Sequence, residues 1–204
     1  MSDQPDTQPK KSWTHNAENR ARLIEAGYAI LSEKGFEATT VKEIAHLANV
    51  SPGLFHYYFA SKDDLLFAVL EEAGTRFGHQ LAQELGRLVS QHPFPDVAML
   101  AMAAVTGRDP AWYRLRYEFY ALGLRNPAFL PAVGAFLAKG RETLAQILQQ
   151  QLGGDEAQMQ AIAAIVHACS DGLALQQLTQ PEVDFTPAYR LVQRLFTLTA
   201  SLDP

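Results

Sequence analysis

One cysteine, Cys169, stands among 204 residues, so an internal disulfide framework is closed to this chain and a reducing compartment suits it. Long apolar runs are missing as well. The longest, Val97 to Val105, has nine residues, against the roughly 20 that a membrane helix needs. The opening MSDQPDTQPKK lacks the apolar stretch of a signal peptide. Basic charge is not in excess: 17 Lys and Arg face 22 Asp and Glu, a net of −5, which excludes a histone-like protein that holds nucleic acid by bulk charge. Two-residue alternation enriched in β-branched residues is absent, so no sheet is expected. Catalytic patterns are lacking too. The histidines at 15, 46, 56, 79, 92 and 167 show no metal-binding spacing, and there is neither a glycine-rich phosphate loop nor G-x-S-x-G. Cys169 falls on an apolar helical face, where a thiol stays protonated and inert. The expectation is a cytoplasmic protein that is not an enzyme, with no catalytic residue, metal, cofactor or membrane partner.

What is present is 48% apolar residues against 19% charged, enough to bury a real core. The apolar period is helical nearly throughout, and so is the punctuation. Gly35 follows a lysine and closes a helix begun near Asn16. Thr40-Val-Lys-Glu43 has the spacing of a capping box. Ser51-Pro52 offers an N-cap followed by proline at the first helical position. Ser61-Lys-Asp-Asp64 opens a long helix that stops near His92-Pro93. Asp109-Pro110, Asn126-Pro127, Gly153-Gly154 and Pro181 divide the remainder. The fold class is therefore all-α with about nine helices. Residues 1–12 read as a disordered tail, 13–62 as one domain and 63–204 as another. Residues 10–62 carry seven basic side chains against five acidic, compatible with an N-terminal end that faces phosphate.

The stretch Val41-Lys-Glu-Ile-Ala-His-Leu-Ala-Asn-Val-Ser-Pro-Gly-Leu-Phe-His-Tyr-Tyr-Phe59 places two short helices around a tight turn. Ile44, Leu47 and Ala48 form the buried stripe of the first, and Ala45 is small where the second crosses it. Asn49 stands where the chain needs a left-handed residue. Phe55 and Phe59 face the core at i, i+4, which leaves His56 and Tyr57 outside. This is a helix-turn-helix with a recognition helix of about Pro52 to Phe59.

Residues Arg22 to Leu70, through GFEATTVKEIA, VSPGLFHYYF and SKDDLL, resemble the DNA-binding domain of the TetR family of bacterial repressors. The segments RYEFYALGLRNPAFLPAV and HACSDGLALQQL look like one subtype of that family's regulatory domain. The resemblance implies a homodimer that binds a palindromic operator in double-stranded DNA and releases it on binding a small-molecule effector. It also implies DNA contacts at Thr40, Lys42, Pro52, Gly53, Leu54, His56, Tyr57, Tyr58 and Lys62. Of these, Thr40 and Lys62 match phosphate contacts, and His56 stands where the family usually has tyrosine. A binding protein without DNA affinity is the alternative of a different class, and it would need no basic helix-turn-helix.

Two features of the C-terminal part bear on function. The helix from about Asp155 to Leu178 has one apolar stripe of Ile162, Ile165, Val166, Cys169 and Leu173. A second, of Ala161, Ala164, Ala168, Gly172 and Leu175, is made mostly of small residues. With Val192 and Leu195 of the last helix, the second stripe is the expected dimer interface. The other reading is a fully buried helix of a monomer. Between Asp109 and Arg125, aromatic residues crowd around charged ones, as in the lining of small-molecule pockets. The effector-binding candidates are Phe77, Tyr113, Arg116, Tyr117, Tyr120 and His167, for an apolar or aromatic effector whose acidic group Arg116 can accept. The other reading is ordinary core with solvated arginines.

Overall fold

Helix boundaries fall where the capping chemistry puts them. The computed structural model describes residues 10–91 and 94–200, with side chains described over 16–91, 98–151 and 153–195. Among these residues there are nine helices and no strand. They are α1 (Lys10–Lys34), α2 (Val41–Leu47), α3 (Pro52–Tyr58), α4 (Lys62–Val89), α5 (Phe94–Arg108), α6 (Pro110–Arg125), α7 (Leu130–Leu152), α8 (Glu156–Thr179) and α9 (Thr186–Ala200). The Thr40–Glu43 capping box forms, Ser51 accepts from the Leu54 N–H, and Ser61 accepts from the Asp64 N–H. Asp109 and Asp155 cap α6 and α8 in the same way. Gly35, at φ 78°, ends α1. That helix starts at Lys10, earlier than Asn16, so residues 10–12 are helical and only residues 1–9 of the expected tail lie outside the described residues. His92 and Pro93 also lie outside them.

The chain divides into two compact units, which meet between Gly74 and Thr75 within α4. This lies later than the boundary expected at Lys62/Asp63. The reason is the first half of α4: Leu65, Leu66, Val69, Leu70 and Ala73 are all buried. Val69 and Leu65 lie so close to α1 that a Cβ on Gly27 would meet Val69 Cγ2 at 2.9 Å. In this N-terminal unit α2 packs on α1 and α3 on α2, around Leu23, Leu31, Ile44, Phe55 and Phe59. Leu47, expected in the buried stripe, is 55% exposed. Ile44, Ala45 and Ala48 fill the inner face of α2 and turn Leu47 outward.

In the C-terminal unit α5 packs mainly on α9 and α7 on α8. Their core joins Met99, Ala145, Leu148, Met159, Ile162, Ala163, Val166 and Tyr189. Gln193 Oε1 accepts from the buried Met99 N–H at 2.7 Å, tying α9 to α5. Glu84, 4% exposed, holds Arg108 of α5 at 2.8 Å. Helices α6 and α7 approach closely at Gly123, where a Cβ would stand 2.5 Å from Val133 Cγ2.

That contact gives the first prediction. Gly123→Ala forces a methyl into Val133, and overpacking of this kind costs about 1–3 kcal/mol, although alanine is the better helix former. Chemical denaturation should show the midpoint fall with an unchanged slope.

Candidate functional site

The N-terminal unit presents a recognition helix braced from behind. In α3 Phe55 is buried, as is its C-cap Phe59, while Pro52, Gly53, His56 and Tyr57 are exposed and Leu54 is half-buried. Tyr57, at 68%, is the most exposed of these aromatics. The turn before it holds Asn49 at φ 54°, a left-handed conformation that asparagine tolerates. Arg22 of α1 clamps that turn, donating to the carbonyls of Ala48 and Asn49, the latter at 2.8 Å. It also donates to Asn19 Oδ1 at 3.2 Å. Asn16, at the start of the same face, accepts from the Tyr58 hydroxyl and donates to that of Tyr57 at 3.4 Å. Tyr58 is thereby half-buried, with its hydroxyl spent on α1. Asn16, Asn19 and Arg22 were not among the sequence-based candidates. Their signal was a three-residue spacing of polar side chains along one face of α1.

The loop before α2 is fixed just as firmly. Thr40 is exposed, and its Oγ1 accepts from the Glu43 N–H at 3.2 Å while Glu43 Oε2 accepts from the Thr40 N–H at 2.9 Å. Lys34 donates to Glu43 Oε1 at 2.8 Å. The Lys34 ammonium and the Thr40 donors hold the Glu43 carboxyl down at about 2. Lys62 Nζ sits 4.1 Å from the centre of the Phe36 ring and donates to the carbonyls of Phe36 and Thr39 at 2.6 and 2.8 Å. Two of its three donors are thus used within the chain. Lys42 is exposed.

In the C-terminal unit the aromatic stretch closes around a charge. Arg116 is 5% exposed, so it is not a solvated arginine, and its Nε and Nη2 face partners within the chain. Its Nη2 lies 2.7 Å from Asp171 Oδ1 and 3.0 Å from Oδ2. Nε and Nη2 donate to the Tyr120 hydroxyl at 3.1 and 2.9 Å. Nη2 also lies 2.8 Å from His167 Nε2. Tyr117 donates to the Asp171 carbonyl at 2.6 Å. Burial opposes the charge on Arg116, and Asp171 with the facing tyrosines outweighs it. Because the guanidinium only donates, His167 Nε2 must accept, which places the ring proton on Nδ1. Burial, then the Arg116 charge, push the His167 pKa below its ordinary value. Burial raises the tyrosines, Tyr120 to about 12 and Tyr113 also upward.

Tyr113, Arg116, Tyr117, Tyr120 and His167 are therefore in one cluster, and Phe77 joins through ring contacts to Trp112 and Tyr113, both at 5.9 Å. Sequence reasoning missed Asp171 as the counterion. It is the only Asp, Glu, Lys or Arg between Glu156 and Glu182, which is the signal that marks it. The small-residue stripe of α8 is on the outside: Ala161, Ala164, Ala168, Gly172 and Leu175 are exposed, with Ile165 at 54% and Leu195 of α9 at 54%. Ile165, assigned to the opposite stripe, belongs to this surface. Val192, expected on it, packs against the core. Among the described residues, no helix is long and apolar enough to cross a membrane, and no His/Cys/Asp/Glu group could hold a metal.

Residues 23–69 match the model of bacterial regulatory proteins of the tetR family, and residues 96–200 match that of the BetI-type transcriptional repressor C-terminal region. The HTH-type transcriptional repressor Rv3405c of Mycobacterium tuberculosis is 33% identical over 145 residues, 68% of this chain and 75% of that protein. The HTH-type transcriptional regulator HbdR of Aromatoleum sp. is 36% identical over 76 residues, 37% of this chain and 32% of its own length. BetI of Brucella anthropi is 38% identical over 68 residues, 33% and 35% of the two chains. The chain thus spans about a third of the length of HbdR and BetI. Among solved structures, Salmonella enterica GusR superposes with a TM-score of 0.73 at 19% identity, covering 97% of this chain and 100% of that one. The multidrug binding protein EbrR complexed with imidazole gives 0.67 at 24% identity, covering 91% and 96%. These two likenesses concern the fold.

His167 supplies a prediction in pH. Its folded pKa lies below the unfolded value of 6.5, so the unfolded chain takes up the proton first as pH falls. The stabilisation is complete above 6.5 and is lost as pH drops from there through the folded pKa. Thermal midpoints measured between about pH 7.5 and 5 should fall, and His167→Gln should remove part of that fall.

Proposed function

The chain belongs to the tetR family of bacterial regulatory proteins, as a transcriptional regulator of the helix-turn-helix type, and on that premise we propose that it is a ligand-responsive repressor. In this reading it is a cytoplasmic homodimer that holds a palindromic operator and releases it on binding a small apolar or aromatic effector. The observation that carries the DNA-binding half is the division of α3, with Phe55 and the C-cap Phe59 inside and Pro52, Gly53, His56 and Tyr57 outside. A short helix that buries only its phenylalanines has a face free for the major groove. Thr40 and Lys42 at the start of α2 face phosphates, where free N–H groups and the helix dipole favour an anion. Lys62 keeps one N–H for a phosphate and uses the others to fix the loop that carries Thr40. Pro52-Gly53-Leu54 offers few hydrogen bonds, so base reading leans on Tyr57, apolar contact and DNA shape.

The dimer surface is the exposed face of α8 and α9. A glycine inside a helix costs about 1 kcal/mol relative to alanine, and nothing among the described residues lies within 4 Å of a Cβ at Gly172. No packing among the described residues requires it there, whereas a second backbone at close range would. Ile165, Leu175, Leu191 and Leu195, all about half exposed or more, form an apolar patch of the kind that marks an interface. The effector half rests on the Arg116 cluster. Helix α4 runs unbroken from Lys62 to Val89, so a ligand acting at Phe77 acts on the helix that also carries Lys62.

Two measurements test this. Selection on a random duplex library should enrich a palindrome whose half-sites lie about 34 Å apart, or a multiple of it. An unenriched library would show that the chain reads no operator. Light scattering should give about 45 kDa, twice the chain mass of 22.5 kDa. Gly172→Arg should shift it to the monomer or to aggregates while leaving the helix content intact, and a wild-type monomer at micromolar concentration refutes the dimer.

A further inference from the structure

The Arg116 Cζ lies 5.3 Å from the Tyr113 ring centroid, 5.5 Å from Trp112, 5.7 Å from Tyr120 and 5.9 Å from Phe136. Four aromatic rings around one cation is the arrangement by which proteins capture quaternary ammonium ligands. Here the cation is the chain's own side chain. Its charge is matched one for one by Asp171, and the Tyr120 hydroxyl and His167 take the other contacts of its Nε and Nη2. The box has spent its attraction for positive charge, and the guanidinium has spent its attraction for a carboxylate. Three atoms here have no hydrogen-bond partner: Asp171 Oδ1, whose charge is met by the ion contact with Arg116, the Trp112 indole N–H, on a side chain 3% exposed, and the hydroxyl of Ser170, next to Asp171 in α8 and 2% exposed.

We infer that Arg116 is a resident cation that bars positively charged ligands from the aromatic box, and that the site takes uncharged aromatic ligands bearing a hydrogen-bonding group. A cation entering the box would have to expel a guanidinium held by Asp171. An anion drawn to Arg116 would leave the Asp171 carboxylate, half-buried beside it, with its charge unmatched, which surroundings of reduced dielectric penalise. The inference rests on the reading of this cluster as the effector site, and it names the class of ligand that site accepts.

Thermal unfolding of the full chain at constant ionic strength tests it with three small probes: tetramethylammonium, benzoate and benzyl alcohol. The wild type should respond to benzyl alcohol and to neither ion. Arg116→Ala frees the rings and leaves Asp171 unmatched, so tetramethylammonium should raise its midpoint by about 3 °C at about ten times its Kd. Asp171→Asn leaves the guanidinium unmatched, and the preference should reverse toward benzoate. A purely structural Arg116 would lower the midpoints without changing which probe restores them, and two variants of opposite charge keep the test open if one fails to fold. A wild type stabilised by either ion as much as by benzyl alcohol overturns the exclusion of charge while the effector-site reading stands. Variants indifferent to all three probes show that the box takes no ligand, and the effector-site reading then falls as well.

Discussion

The C-terminal unit is organised by a charge that it has taken out of water. An arginine 5% exposed is tolerable only if its counterion and hydrogen-bond acceptors arrive together, and removing one partner of such a pair costs about 3–5 kcal/mol. That requirement fixes how α6 meets α8. Arg116, Tyr117 and Tyr120 all reach the turn of α8 holding His167 and Asp171, so a slip of either helix by one residue would break every one of these contacts. It fixes α7 also. A Cβ on Gly140 would stand 2.9 Å from His167 Cε1, so the imidazole keeps its place against Arg116 because α7 carries no side chain there. Hydrophobic burial stabilises the packing of these helices, but it is non-directional, and the ion pair supplies the register.

The N-terminal unit meets a different constraint with similar means. Its function depends on the angle between α2 and α3, and that angle hinges on a left-handed residue, Asn49. Asparagine tolerates this conformation without preferring it as glycine does, so the turn needs support from outside. Arg22 provides it through two carbonyls, Lys62 does the same for the loop before α2, and Asn16 holds the tyrosines at the end of α3. Each of these bonds joins a side chain to an acceptor at least 20 residues away in sequence. Together they turn a short helix, which would be marginal alone, into a rigid reading surface.

Much of this is legible in the sequence. Caps and breakers act within four residues, so Thr40-Val-Lys-Glu43, Ser51-Pro52 and Gly35 announced their helix ends directly. The inward phenylalanines and outward Tyr57 of α3 followed from helical period. Long-range polar pairing was not legible in the same way. Arg116 could be read as solvated because its partner lies 55 residues on, and a period-based reading sorts residues by face without saying what covers that face. Asp171 nevertheless carries a signal, since a lone acid in the interior of a long apolar helix must be either exposed or paired. Leu47 and Ile165 misled for a simpler reason. On a two-sided helix a residue at the edge of a stripe is assigned by its neighbours, and the neighbours here were small alanines that decide little.

Helix α8 carries both of the functions proposed for the C-terminal unit on adjacent residues. Asp171 points into the Arg116 cluster, and Gly172, one step along the helix, is exposed in the small-residue face. Successive residues of an α-helix differ by about 100° in direction, so one rigid rod presents the polar cluster on one side and the proposed subunit contact on another. A ligand changes DNA affinity only to the extent that it binds one arrangement of the dimer more tightly than the other. In the proposed reading, coupling needs no chain of side chains between the two surfaces. A ligand that alters where Tyr117, Tyr120 and Arg116 hold the Asp171 turn alters where Gly172 and Leu175 stand, because the same backbone hydrogen bonds carry both. The small side chains matter to this economy. Where backbones approach closely, a shift of a fraction of an ångström is a steric event, whereas long flexible side chains at the contact would absorb it.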